Sequence, residues 1–226
     1  MEAQQALTTT RLADGAAVLA GRDRRLGSAL ARNGVPPLWG RPQGFETLFR
    51  IILEQQVSLS AAQTLFDRLK AGLGGITPTT IIAAAERGLR ARGVTRQKAS
   101  YCVGLAKLIQ DRRLSLSEFR SLDDDSVWDS LTAVRGIGPW TAGVYLLTAL
   151  RRPDVWPTGD LALLNSAQQV LRLRGTLDQG RLDRIALRWK PFRSIAARIL
   201  WHDYLRRAGR SASGPSLPAL AERTAA

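Results

Sequence analysis

The chain has 226 residues, of which 45% are hydrophobic, and a net charge of +14 at pH 7. This size and composition are typical of a soluble globular protein with one domain or two packed lobes. The single cysteine, Cys102, excludes a disulfide framework and any four-cysteine zinc or iron–sulfur site within this chain. The single histidine, His202, excludes most histidine-based metal sites and argues against a Ser-His-Asp hydrolase.

The charge balance suggests what the protein binds. No apolar run reaches the length of a membrane span, and the polar residues 1–11 do not resemble a signal peptide, so we expect an intracellular protein. Most basic residues are arginines, whose planar guanidinium pairs with phosphate and stacks on bases. The excess of arginine indicates a polyanionic partner, nucleic acid before any other, although a basic protein that is merely soluble is the alternative.

In chain order, the first clear pattern is a pair of helices within residues 45–73. Polar residues at Gln55, Gln56 and Ser58 interrupt the apolar periodicity, which indicates a helix, a polar bend and a second helix. One face of the first helix is apolar and consists of Phe45, Leu48, Phe49, Ile52 and Leu53.

Further helices follow with recognisable start signals. Thr77 and Pro78 predict a cap and a first helical position, and Thr95 predicts the cap of a helix that reaches about Ile109. Three aspartates at residues 123–125 favour another helix start. Two more helices are predicted at 160–174 and 181–207, and a disordered tail at 209–226. Because period-2 alternation is almost absent, the fold class is predicted to be all-α.

The segment LTAVRGIGPWTAGVYLLTAL, from residue 131, is typical of two helices joined by a tight turn. Gly136 and Gly138 are expected to adopt backbone angles that side chains forbid, and Pro139 suits the first position of the second helix. The free N–H groups at such a helix start can bind a phosphate oxygen without reading sequence. An ordinary helical hairpin is the alternative interpretation.

Four motifs, found in the same order along the chain as in a known family, indicate a resemblance to that family. LTAVRGIGPWTA followed by PTGD resembles the helix-hairpin-helix and trailing aspartate of the base-excision DNA glycosylases. EQQVS at residues 54–58 and RWKPFRSIAARILW at 188–201 are similar to the alkylpurine branch, typified by 3-methyladenine DNA glycosylase II. The resemblance covers about residues 40–207. Only some 45 residues precede the EQQVS helix, so we expect a shortened form without the N-terminal β-rich domain of the bacterial archetype.

The resemblance implies a two-lobed helical fold with the active site in the cleft between the lobes. One lobe would span about 46–150, and the second would combine the N-terminal segment with about 151–208. It also implies a cytoplasmic, nucleoid-associated bacterial monomer that acts on double-stranded DNA with damaged bases. The implied reaction is base excision of 3-methyladenine or 7-methylguanine by hydrolysis of the N-glycosidic bond. A glycosylase for another damaged or mismatched base and a non-catalytic DNA-binding module remain the alternatives.

Asp160 matches the catalytic aspartate of that family. It begins the predicted helix at 160–174, where the helix dipole favours its charged form. Glycosidic cleavage builds positive charge on the sugar, and a nearby anion stabilises that charge. An alkylated purine is already cationic, so it leaves without a second carboxyl group to protonate it. Helix capping is the alternative role for this residue.

Tryptophans are the candidates for the base pocket. Trp140 stands where strand-nicking members of the superfamily carry a Schiff-base lysine, so the resemblance implies a monofunctional enzyme. Trp140 and Trp201 match positions that line the alkylpurine pocket, where an indole face attracts a cationic purine. Val144 and Leu161 stand where aromatic residues are expected, which leaves the base preference open. Core packing is the alternative role for both tryptophans.

The remaining implied contacts concern the DNA backbone and the gap that an extruded base leaves. Gln56 matches the residue that fills that gap, which we call the wedge, and Gln55 could share this role. A polar residue at a helix junction is the alternative for Gln56, and a solvated helix face is the alternative for Arg96 and Lys98. The expected backbone contacts are Arg135, Gly136, Ile137, Gly138, Thr141, Arg96 and Lys98.

No cofactor and no iron–sulfur cluster are expected. In the family, hairpin carbonyls often hold a structural Na⁺ or K⁺, and by position these carbonyls belong to Thr132, Val134 and Ile137. His202 and Cys102 are interpreted as structural residues.

Overall fold

The computed structural model describes residues 6–209, and in that range it contains eleven α-helices, two 3-10 turns and no strand. The all-α prediction is therefore confirmed for this part of the chain. Of the tail predicted at 209–226, all but Gly209 lies outside the described residues. The helices are α1 Thr9–Arg22, α2 Arg24–Asn33, α3 Phe45–Glu54, α4 Leu59–Leu73, α5 Pro78–Ala91, α6 Arg96–Gln110, α7 Asp124–Thr132, α8 Pro139–Thr148, α9 Leu161–Val170, α10 Gln179–Ala186 and α11 Arg193–Arg207.

The chain divides into two compact units. Within the described range, the first unit comprises residues 6–41 and 146–209, and the second comprises residues 42–145. The sequence-based division set the corresponding boundaries near residues 46 and 150. No helix within 6–209 has the length and apolar character needed to cross a lipid bilayer.

Most predicted helix starts are confirmed. The Thr77 hydroxyl accepts a hydrogen bond from the Thr80 amide, and the Thr80 hydroxyl accepts one from the Thr77 amide, so the two form a reciprocal cap. Thr95 caps α6, and Pro139 occupies the first position of α8. The polar bend separates α3 from α4, because Gln55 and Gln56 leave the helical conformation.

The single helix predicted at 181–207 is wrong. The structure has α10, a 3-10 turn at Leu187–Trp189 and then α11. Pro191 explains the break, since it has no backbone N–H and its ring disfavours helical angles at Lys190. The helix predicted at 160–174 ends earlier, at Val170, and the N-terminal helices α1 and α2 were not predicted.

The first unit is built around α11, which packs against α1, α2 and α9. Its residue Arg198 is fully buried, and burial lowers the pKa of its guanidinium to about 9. The guanidinium donates hydrogen bonds to the carbonyls of Leu38, Leu147 and Ser194. Arg198 therefore fixes the segment that leads to Trp39, and the C-terminal end of α8, onto the central helix.

The second unit is built around α3 and α6. Helix α3 packs against α4 and α6, and α6 packs against α5. The five residues of the predicted apolar face of α3 are all buried, together with Thr47, Ile51 and Glu54. Helix α3 is thus enclosed on several sides, and its C-terminal end lies beside the start of α6, as the contacts of Lys98 described below demonstrate.

Candidate active site

The turn between α7 and α8, residues 133–138, depends on glycine at one of its two glycine positions. Gly136 has φ +91°, and a Cβ added there would lie 2.1 Å from Cγ of the Tyr101 ring. The backbone thus packs directly on the aromatic ring of α6, and no side chain fits between them. The Ile137 amide donates to the Val134 carbonyl at 3.0 Å, which closes the turn.

Gly138 corrects the sequence analysis. Its φ lies outside the left-handed region, and a Cβ added there would meet no atom of the described part of the chain within 4 Å. The expectation that Gly138 needs a forbidden backbone angle is therefore wrong. Gly138 is exposed directly before α8, and it places no side chain beside the start of that helix.

The bend, residues 55–58 between α3 and α4, presents one of the two candidate wedge residues to solvent. Gln56 is exposed and has φ +55°, a left-handed conformation that is costly for a glutamine. Gln55 points to the hairpin instead, and its Nε2 donates to the Gly136 carbonyl and to Thr141 Oγ1, each at 2.9 Å. Of the two candidate wedge residues, therefore, only Gln56 is exposed to solvent.

The two expected phosphate contacts on α6 differ in position. Arg96 is exposed. The Lys98 ammonium donates to the carbonyls of Leu53 and Gln55, each at 2.7 Å, and burial lowers its pKa. Burial also raises the pKa of the Cys102 thiol, one turn further along α6, to about 12. Cys102 is fully enclosed and remains protonated at neutral pH.

The other hairpin residues divide into exposed and buried positions. Arg135 is exposed, with its guanidinium carbon 6.0 Å from the centre of the Tyr101 ring. Ile137 and Thr141 are buried, at 3% and 2% exposure. A direct contact of the Thr141 hydroxyl with DNA would compete with its bond to Gln55.

Asp160 is both a helix cap and a buried carboxylate. Its Oδ1 accepts a hydrogen bond from the Leu163 amide at 2.8 Å, which makes it the N-cap of α9. The residue is only 2% exposed, whereas the cap of α10, Asp178, is exposed. The Trp201 indole Nε1 also donates to Asp160 Oδ1, at 3.3 Å. Burial and a tryptophan donor are more than capping requires, because an exposed aspartate caps equally well.

Trp201 is itself fully buried, and it belongs to a cluster of rings with Trp39 and His202. The sequence did not predict that these three residues lie together. Trp39 packs edge-on against Trp201, with ring centroids 6.4 Å apart, and against His202 at 6.3 Å. Trp39 has φ +45°, and its buried indole nitrogen has no hydrogen-bond partner among the described residues, 6–209. A strained backbone angle and an unpaired buried donor are both features that cluster at functional sites. No periodicity in the sequence marks this residue.

His202 is also buried, and its Nδ1, like the Trp39 indole nitrogen, has no hydrogen-bond partner among residues 6–209. Burial lowers the pKa of its imidazole, and the ring also forms a hydrogen bond with the Gly34 backbone. The remaining candidate pocket residues lie at helix starts or inside helices. Trp140 is the second residue of α8 and is half-buried, Val144 is fully buried, and Leu161 is the half-buried first residue of α9.

No group of three or more His, Cys, Asp or Glu side chains suited to a metal ion occurs within residues 6–209. The carbonyls of Thr132, Val134 and Ile137 belong to the end of α7 and the turn that follows it. The Val134 carbonyl accepts the Ile137 amide, and an oxygen of this kind retains a second lone pair.

Comparison with known proteins places the chain in a family. The family described as "HhH-GPD superfamily base excision DNA repair protein" matches residues 49–192, which include the bend, the hairpin and Asp160. The chain belongs to the HhH-GPD superfamily.

Two curated relatives from Bacillus subtilis are similar to the chain. One, named provisionally as a DNA-3-methyladenine glycosylase, is 30% identical over 167 residues, 70% of this chain and 58% of the relative. The other, named DNA-3-methyladenine glycosylase, is 28% identical over 182 residues, 72% of this chain and 57% of the relative. The chain therefore spans less than two thirds of the length of either relative.

Two solved structures share the fold. The DNA-3-methyladenine glycosidase of Bacillus halodurans superposes with a TM-score of 0.74 and 27% identity, over 88% of this chain and 93% of that one. The Schizosaccharomyces pombe 3-methyladenine DNA glycosylase, in complex with abasic DNA, gives 0.72 and 24%, over 86% and 97%. The predicted resemblance to helix-hairpin-helix glycosylases of the 3-methyladenine type is confirmed.

Proposed function

We propose that this protein is a monofunctional DNA glycosylase that excises N3- and N7-alkylated purines from double-stranded DNA, as the first step of base excision repair. The observation that carries the proposal is the buried Asp160 carboxylate, held by the Leu163 amide and the Trp201 indole in a chain of the HhH-GPD superfamily. The names of the two Bacillus subtilis relatives support the choice of substrate.

In the proposed reaction, the bond between the sugar anomeric carbon and the purine nitrogen breaks, and its electron pair leaves with the base. Because the alkylated base is cationic beforehand, it departs as a neutral molecule and needs no proton donor. The sugar becomes an oxocarbenium-like cation, which the Asp160 anion stabilises. The same carboxylate orients a water molecule, whose oxygen bonds to the anomeric carbon while one of its protons passes to the surrounding solvent.

Trp140 supports the monofunctional character of the enzyme. A glycosylase that also cleaves the strand uses an amine to form a Schiff base with the sugar. An indole at residue 140 cannot form this adduct. The proposed product is therefore an intact strand with an abasic site. The Trp140 ring would instead attract the cationic base through its electron-rich face.

The second unit would supply the grip on DNA. Phosphate oxygens would bind the first amides of α8, next to exposed Gly138, and the exposed guanidinium groups of Arg96 and Arg135. Gln56 would fill the gap left by the extruded base. The enzyme would act as a monomer without a catalytic cofactor.

A structural Na⁺ or K⁺ remains a proposal for the hairpin. The carbonyls of Thr132, Val134 and Ile137 are uncharged oxygen donors, the ligand type that a hard cation accepts. The second lone pair of the Val134 carbonyl is compatible with this role. Such an ion would supply positive charge for a DNA phosphate.

A second candidate is a glycosylase with a different base preference. The aliphatic residues Val144 and Leu161, at positions where the alkylpurine branch is aromatic, favour this alternative. A less aromatic pocket would depend less on attraction between an indole ring and a cationic base.

One experiment separates the candidates. Duplexes that each carry one lesion are incubated with excess protein and then treated with alkali, which cleaves abasic sites. We expect alkali-dependent cleavage with 3-methyladenine and 7-methylguanine. Cleavage only with uracil, hypoxanthine or an oxidised base would favour the second candidate, and binding without cleavage would identify a DNA-binding module. A covalent adduct trapped by borohydride would contradict the monofunctional assignment.

A further inference from the structure

The bend that carries Gln56 is held in a conformation it would not adopt alone. A left-handed φ of +55° is unfavourable for a glutamine, so surrounding contacts must impose it. Those contacts come from the residue before Gln56 and from α6. Both lie in the second unit, together with the hairpin.

Lys98 holds the main chain of the bend. Its ammonium donates to the carbonyls of Leu53, in the last turn of α3, and of Gln55, the C-cap of that helix. The last carbonyls of a helix lack intrahelical partners, and the negative end of the helix dipole attracts a cation. Two of the three ammonium hydrogens are thus used within the protein, which leaves at most one for a phosphate.

Gln55 holds the bend to the hairpin. Its side-chain amide spans the turn, because it reaches both the Gly136 carbonyl and the Thr141 hydroxyl in the first turn of α8. The same Gly136 packs on the ring of Tyr101, which lies one turn after Lys98 on α6. The start of α6 therefore supports both the bend and the hairpin turn.

We propose that Lys98 and Gln55 are positioning residues that hold the Gln56 wedge at a fixed offset from the backbone-binding hairpin. This inference rests on the proposed function, because a wedge has a purpose only in an enzyme that extrudes a base. Without the Lys98 ammonium, the two carbonyls lose their partner and the strained bend can relax. Gln56 would then reach the gap in the stack less often, whereas Asp160, which belongs to the first unit, would be unaffected.

A positioning role predicts a loss that depends on how firmly the lesion is paired. Extrusion costs least when the target base has no partner, so an unpaired lesion needs the wedge least. We expect Lys98→Met to slow single-turnover excision of 7-methylguanine opposite cytosine by roughly tenfold or more. Excision of the same lesion opposite an abasic-site analogue should slow by less than about threefold.

Lys107→Met is the matched control, since it removes the same charge from an exposed position on the same helix. It should leave both rates unchanged. Equal slowing of both substrates by Lys98→Met, or equal effects of the two variants, would overturn the inference. Binding to undamaged DNA provides a further check, as the slope of the logarithm of the binding constant against the logarithm of salt concentration. If Lys98→Met lowers the magnitude of this slope by about 0.9, Lys98 is a phosphate contact and the inference is overturned.

Two further measurements keep the test decisive. Gln55→Glu removes the amide donor next to the Gly136 carbonyl, and it should reproduce the selective loss even where Lys98→Met fails to fold. A duplex with 2-aminopurine at the target position reports extrusion as increased fluorescence, without base release. If the wild-type protein excises nothing, the proposed function fails, yet a fluorescence increase lost in Lys98→Met would still support the inference. No increase with the wild-type protein would overturn it.

Discussion

The surroundings of Asp160 and of the hairpin turn are built in opposite ways. Asp160 is enclosed in the first unit, where an amide of α9 and a buried indole define one carboxylate oxygen. The hairpin turn in the second unit offers main-chain groups, and it contains two glycines. Gly136 has no room for a side chain, whereas Gly138 does. Under the proposed function, the first region would act through side-chain charge and the second through backbone shape.

This contrast predicts which substitutions each region tolerates. A change that keeps shape and removes charge should affect Asp160 strongly and the turn hardly at all. A change that adds one methyl group and leaves the charge unchanged should affect the hairpin turn strongly and the surroundings of Asp160 hardly at all. Matched pairs of variants, one in the region and one elsewhere in the same unit, therefore test the comparison directly.

The largest expected effect follows from Asp160→Asn. Asparagine keeps the size and the capping oxygen but removes the anion, so single-turnover excision of 3-methyladenine should fall by roughly 10²–10³-fold or more. Binding to an abasic-site analogue should change little, and binding to a cationic sugar mimic should fall sharply. The unfolding free energy should change by about 1 kcal/mol or less, because asparagine caps nearly as well as aspartate.

Asp178→Asn is the control for Asp160→Asn. Asp178 caps α10 through the Arg181 amide, and it is exposed. Both variants change a cap, but only one removes the buried anion. If a well-folded Asp160→Asn protein excises bases as fast as Asp178→Asn, capping is the whole role of Asp160 and another group carries the reaction.

The next effect concerns two identical substitutions two residues apart. Gly136→Ala combines a left-handed φ with a Cβ at 2.1 Å from the Tyr101 ring, so the turn must move. We expect the unfolding free energy to fall by about 2 kcal/mol, and binding to weaken for all duplexes alike. Gly138→Ala should change stability by less than about 0.5 kcal/mol, because its Cβ meets open space.

Binding distinguishes the two glycines further. Gly138→Ala adds a methyl group beside the first amides of α8, so it should weaken binding to every duplex without a stability change. Thermal unfolding and titration of several unrelated sequences measure both effects. A weakening limited to one sequence context would contradict phosphate binding by the hairpin.

Local signals in the sequence predicted most helix starts correctly. Thr77 and Thr95 each accept a hydrogen bond from an amide three residues later, and Pro139 fixes its own φ, so these effects do not depend on the rest of the fold. Pro191 is an equally local signal, because it lacks an N–H and disfavours helical angles at Lys190, and it ends the single helix predicted at 181–207. The catalytic candidate Asp160 came from the resemblance, since its capping position alone does not distinguish it from Asp178.

Contacts between distant segments could not be predicted. Gly136 and Gly138 look equivalent in the sequence, and they are distinguished by the left-handed φ of Gly136 and by the Tyr101 ring, 35 positions before it. Lys98 resembles any basic residue near a helix start, yet its partners lie 43 and 45 residues away. Trp39 is marked by its backbone angle and its unpaired nitrogen, which only three-dimensional packing reveals.

The smallest expected effect sharpens the account of Asp160. Trp201→Phe removes the indole donor to Asp160 Oδ1 and leaves an aromatic ring in the core. A hydrogen bond to a charged group contributes about 1.5–3 kcal/mol. Because the Trp201 Nε1–Asp160 Oδ1 distance is long, at 3.3 Å, we expect a value near the lower limit of this range. Excision should therefore slow by about tenfold, measured as a single-turnover rate.

Trp156→Phe provides the matched change in the same unit. Trp156 is buried, and its indole Nε1 donates to Asp183 Oδ1 at 2.9 Å, so both variants remove an indole–aspartate hydrogen bond and similar core volume. Both should lower the melting temperature. Only Trp201→Phe should slow excision by the folded protein, because only its carboxylate partner is proposed to face the reacting sugar. Equal slowing by both variants would mean that lost packing, rather than the orientation of the Asp160 carboxylate, limits the reaction.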